Sequence, residues 1–152
     1  MKWSRSLLLL KRWLAALVLL AVLAVGVGPW ALYGIGLANI EGRPEPAKRP
    51  ATVAEAQVIW VHFRGVGEPV VDRLTPYEYI HEIVGHSPAP HASGESVVWF
   101  VASRYNVEHL ANHRMLWWHL SGASLVIWLS RHWSTEQILA KAVELGAAST
   151  RP

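Results

Sequence analysis

Apolar residues fall into one long block and several short ones. From Trp13 to Ile40 no side chain is charged, a run of 28 residues. A bilayer's hydrocarbon core needs about 20 residues of helix, and one charge at its centre costs roughly 3 kcal/mol on insertion scales. The run therefore predicts a transmembrane helix over 13–40, preceded by a basic tail at 1–12. Lys11 and Arg12 at its leading edge place the N-terminus in the cytoplasm, although Arg43, Lys48 and Arg49 beyond it compete for that face. Trp13, Trp30 and Tyr33 are positioned as interfacial anchors. A cleaved signal peptide, with Val22-Leu23-Ala24 near the cut, is the rival reading. The apolar run continues past that point, which favours an uncleaved anchor. Under either reading the rest of the chain leaves the cytoplasm.

Residues 41–52 read EGRPEPAKRPAT. Three prolines and mixed charge predict a semi-rigid spacer. The folded domain is then expected at 53–148. Its first apolar run, Val58 to Phe63, is too short for periodicity to separate strand from helix. Arg64 to Pro69 predicts a turn. Thr75-Pro76-Tyr77-Glu78 predicts a helix start: threonine caps, proline takes the first helical position and glutamate closes a capping box. That helix is expected to end near Gly85, with a loop over His86 to Gly94. A buried helix is expected from Ser96 to Leu110 and a second over Met115 to Leu129, the latter too short to cross a bilayer easily. Ser134-Thr135-Glu136-Gln137 is another capping box, opening a helix that Gly146 can end. The expected fold class is mainly α.

Composition narrows the function. The chain is 52% hydrophobic and 16% charged, against a usual charged share of about 25%, which argues against a disordered tail and a freely soluble protein. There are no cysteines, so disulfide scaffolds, thiolate metal sites and thiol nucleophiles are excluded. Four basic residues lie within 1–12; from Glu41 onward ten basic residues face eleven acidic ones. The folded part is near neutral, so no nucleic-acid surface is expected.

All eight histidines lie between His62 and His132. His81 and His86 suggest a zinc-protease helix, but that motif needs a four-residue spacing. At five apart on a helix they diverge by about 140°. His109 and His113 have the required spacing, yet no third ligand can be assigned, so metal binding stays the weaker alternative. Neither a nucleophile elbow nor a phosphate-binding glycine loop is present. Among the small and polar residues of 115–129, Gly122 marks close helix–helix packing.

Four features together resemble the family 51 glycosyltransferases, the peptidoglycan transglycosylases found alone or within penicillin-binding proteins. The first is a basic N-terminus, one anchor and a helical extracytoplasmic domain. The second is Gly94-Glu-Ser-Val-Val-Trp-Phe-Val-Ala-Ser-Arg-Tyr105, similar to the family's GGSTITQQLAKN segment. The third is the apolar helix after Arg114. The fourth is Trp133-Ser-Thr-Glu-Gln-Ile-Leu139, similar to its late W-S-K-x-x-I-L segment. The resemblance runs from Gly94 to Leu145 and implies part of a lysozyme-like transglycosylase fold. It also implies a bacterial inner-membrane location with the domain in the periplasm.

The departures concern the chemistry. The family's general base, a glutamate in E-D-x-x-F-x-x-H-x-G, has no counterpart here. Its paired glutamines fall at Phe100 and Val101, and its lysine falls at Arg104. The arginine, lysine and glutamate of its third motif fall at Trp118, His119 and Gly122. The asparagine of Y-L-N falls at Glu144. A base and a pyrophosphate clamp each contribute roughly 10²-fold or more, so polymerisation is expected to be lost.

What the resemblance leaves is a catalytically degenerate relative that contacts membrane-borne lipid II or a cell-wall synthesis enzyme. Its candidate binding residues are Ser96, Arg104, Arg114 and His119, the arginines meeting phosphate. Helix-end capping is the structural alternative for both arginines. No cofactor is implied, unless transglycosylase chemistry survives and takes a divalent metal. A single-pass scaffold without a small-molecule ligand is the other class. A groove lined by cations separates the two.

Overall fold

A computed structural model describes residues 3–84, 92–111 and 114–148. Among these residues there are six helices and no strand. They are α1 (Trp3–Ala38), α2 (Val53–His62), α3 (Pro76–Val84), α4 (Ala92–His109), α5 (Met115–His132) and α6 (Thr135–Glu144). The mainly α expectation is met. The chain divides into two compact units, Met1–Leu32 and Tyr33–Pro152.

The first unit is the greater part of α1. Every side chain from Leu10 to Val27 is exposed. Leu10–Ala38 forms a 29-residue stretch whose most apolar 18-residue window has a mean hydropathy of 2.3, long and apolar enough to cross a membrane. The helix starts at Trp3, inside the stretch read as a basic tail, and stops at Ala38, two residues before the expected limit. Charged residues near a helix start do not prevent helix formation, so charge marks the edge of a span and not the edge of its helix.

The second unit begins earlier than the sequence suggests. Tyr33–Ala38 belongs to it, as does the proline-rich segment. That segment, expected to be a semi-rigid spacer, has no helix and forms a strap tied to the helices. Glu41 N donates to His109 O at 2.9 Å, and Lys48 N donates to Glu144 Oε2 at 2.9 Å. Pro44 is buried. Arg49 meets Glu55 Oε1 at 2.6 Å.

The undecided run at 58–63 is helical as far as His62 because an upstream signal fixes it. Thr52 Oγ1 accepts from Glu55 N, and the Glu55 carboxylate accepts from Thr52 N, closing a capping box ahead of α2. The same reciprocal pair opens α3 at Thr75 and Glu78 and opens α6 at Ser134 and Gln137. Gly146, at φ 75°, follows α6, and Ala147 N donates back to Ala142 O at 3.0 Å. Helix α4 begins at Ala92, so Gly94, expected in a loop, sits in its first turn. There its missing side chain lets Val70 O approach to 2.6 Å from where a Cβ would be. The expected end of α3 at Gly85 lies outside the described residues.

Helices α4 and α5 pack against one another, with α6 and α2 against α4 and α3 against α5. Val97, Val98, Val101, Leu125, Leu129 and Ile138 form the centre of the core. Gly122 has the role expected of it: a Cβ there would lie 3.0 Å from the Trp99 ring. Burying these aliphatic side chains contributes about 1.5–3 kcal/mol each.

Candidate functional site

The four sequence candidates do not gather at one point. Ser96 and Arg104 share α4 but are eight residues apart, about 12 Å along the axis. Arg114 is the N-cap of α5 and caps it with no side-chain hydrogen bond. His119 is exposed on α5, its ring edge-on to Trp118 at 4.8 Å. Only Arg104 of the four lines the cleft described next.

That cleft has a volume of about 360 Å³ and lies between the last turns of α4, the strap and the end of α6. Arg43, Arg104 and Lys141 line it, together with Glu45, Glu108 and His109. The helix–strap seam holds it in shape. Tyr105 Oη donates to Glu41 O at 2.9 Å. The Tyr105 ring stacks on His109 at 3.8 Å, and His109 Nδ1 lies 3.0 Å from Tyr105 O. Burial pushes the Tyr105 hydroxyl's pKa up, so it stays a donor at neutral pH.

Each cation in the cleft is held differently. The Arg104 guanidinium stands 5.3 Å from the centre of the Phe100 ring. Arg43 donates to Gly42 O at 2.6 Å. Lys141 Nζ meets Glu144 Oε1 at 2.6 Å. Lys141 and the Lys48 amide hold the Glu144 carboxyl below the usual range. Two guanidiniums and an ammonium around one depression suit an anion carried on a polar group. Glu45, Glu108 and the Glu144 paired with Lys141 balance these three positive charges, and the first two offer acceptors for hydroxyls or amides. Arg43 and Lys141 carried no local sequence signal. They join Arg104 only through the strap and α6, which no spacing rule connects.

A second cleft, of about 380 Å³, lies where α3 and α4 begin. Asp72, Arg73, Glu78 and Glu95 line it. It brings together Glu78 and Glu95, which are 17 positions apart. Hydrogen bonds from the Thr75 side chain and amide hold the Glu78 carboxyl below its ordinary pKa. A carboxylate so stabilised is a weaker base, and it already serves as the cap of α3.

Two of the three positions aligned with the third motif, Trp118 and Gly122, are packing positions, whereas His119 is exposed. Trp118 meets the Trp99 ring edge-on at 5.7 Å, and Gly122 is buried against it. Asn106, fully buried between them, donates to Trp118 O at 2.9 Å. No ion-binding side chain stands at either position.

Among the described residues, no three His, Cys, Asp or Glu groups converge as metal ligands. His86 and His113 lie outside the described residues, so the His81/His86 and His109/His113 pairs are not placed. Compared with known protein families, curated proteins and solved structures, the chain matches none.

Proposed function

We propose that this chain is a single-pass membrane protein of bacterial cell-wall biogenesis, a degenerate relative of the family 51 transglycosylases. Its helical unit would lie in the periplasm and hold the anionic head group of a lipid-linked peptidoglycan precursor. The observation that carries this reading is the cleft of Arg43, Arg104 and Lys141. It supports a ligand-binding relative over a scaffold, and it contains Arg104, the candidate aligned with the family's lysine.

The test is binding of lipid II to the full-length protein in lipid nanodiscs. Arg43→Ala/Arg104→Ala should weaken it roughly 10–100-fold, the range for hydrogen bonds to charged groups. Arg114→Ala should leave it unchanged. Equal affinity in the double variant and the parent would overturn the assignment. The scaffold reading is favoured by a different feature, a shallow apolar groove of about 340 Å³ bordered by Val58, Ile59, Val143 and Gly146.

A further inference from the structure

We infer that the end of the folded unit formed by α3 and the last turn of α5 lies in the head-group layer of a phospholipid bilayer. This rests on reading α1 as a membrane span and is independent of precursor binding.

Chain length supplies the first argument. About 30 Å of hydrocarbon takes 20 helical residues. Counted from Trp13, the first residue after Lys11 and Arg12, these end at Leu32. The folded unit begins at the next residue, Tyr33.

Direction supplies the second. Within the folded unit, Gly36 lies against Leu120 and Ser124, Asn39 Nδ2 donates to Ser121 Oγ at 3.1 Å, and Ile40 pairs with Leu110. The chain therefore runs antiparallel to α5 and arrives at the C-terminal end of that helix. That end is the part of the unit closest along the chain to the apolar segment.

The third argument is what this end carries. Leu74 N donates to Ser130 Oγ at 3.1 Å, which fixes the start of α3 beside the last turn of α5. Gly94, on the far side of α3, sits against Val70 O, and Val71 N donates to Thr135 Oγ1 at 3.1 Å. The chain thus leaves and returns at the same end, and α3 is an excursion from it. Helix α3 is amphipathic: Tyr79 is buried, whereas Tyr77 and Ile80 are 40% and 42% exposed. Trp128 stacks on exposed His132 close by, with Arg73 and Arg131 also exposed. Tyrosine, tryptophan and arginine around a short amphipathic helix match the chemistry of the head-group layer. Asp72 and Glu78 share this end, so the contact does not depend on anionic lipid.

The cysteine-free chain makes the test direct. Single cysteines at Ile80, Tyr77, Val107 and Leu20 are labelled with an environment-sensitive dye in full-length protein, reconstituted in phosphatidylcholine/phosphatidylglycerol vesicles. Val107 is 60% exposed near the other end of α4. Dyes at Ile80 and Tyr77 should be quenched by head-group spin labels roughly threefold more than one at Val107, and correspondingly less by iodide. Ile80→Lys, with the dye at Tyr77, should return that dye to water. A Leu20 dye buried in lipid beside an Ile80 dye as wet as that at Val107 would overturn this inference alone. A wet Leu20 dye would overturn the span as well.

Discussion

Gly36 lies against Ser124: a methyl group on Gly36 would fall on the Ser124 hydroxyl and 2.7 Å from the Leu120 carbonyl oxygen. This contact joins the last turns of α1 to α5. Alanine has the better helix propensity by about 1 kcal/mol, but overpacking costs about 1–3 kcal/mol. Ser124 can rotate away, whereas the Leu120 carbonyl belongs to a rigid helix. Gly36→Leu should therefore lower the melting temperature by roughly 5–10 °C, measured by circular dichroism in detergent. Ser124→Gly in the same chain should recover only part of that loss.

Ser130 links two elements. Its hydroxyl accepts from Leu74 N and donates to Ile127 O at 2.9 Å, all in the buried interior. Ser130→Ala would leave a buried amide without its acceptor, at about 1–3 kcal/mol. The expected result is faster hydrogen exchange at Leu74 and through α3, with α6 unchanged. Uniform protection in the variant would show that the bond does not hold α3.

Acid should loosen the strap. Hydrogen bonding to Arg49 and Thr52 lowers the Glu55 pKa from 4.5 to about 2. A carboxyl with a depressed folded-state pKa stabilises the fold above its unfolded value and loses that contribution as pH falls through its folded value. Glu78 and Glu144 are shifted in the same direction. Stability should therefore be full above pH 4.5 and decline towards pH 2. Glu55→Gln should flatten this decline in melting curves taken across that range. The Arg49–Glu55 ion pair is exposed to solvent, so salt should reduce its share.

Glycan polymerisation should be absent. Purified full-length protein given labelled lipid II and a divalent cation should yield no polymer, beside an active transglycosylase as control. Glu78 is occupied as a cap, and Gly122 and Trp118 fill the α4–α5 seam. A polymer abolished by Glu95→Gln would reveal a replacement base in the second cleft.

Local signals in the sequence were enough for most of the secondary structure. The charge-free run identified α1. The Thr75 and Ser134 boxes opened α3 and α6, because a cap is a contact between residues three apart. The Thr52–Glu55 box is equally local. The surrounding prolines, which favour a spacer, mask it. Gly94 was expected in a loop because glycine is a breaker, yet its place in α4 is set by the Val70 carbonyl passing beside it.

The sequence by itself determined the apolar span, the helical class and the caps. Each follows from hydrophobicity, or from groups a few residues apart. Only the tertiary structure decided that the folded unit starts at Tyr33, that the proline-rich segment is tied to α4 and α6, and that Arg43 and Lys141 join Arg104. Those relations connect residues 37 to 98 positions apart. They depend on how helices pack, and no periodicity or spacing along a single chain encodes them.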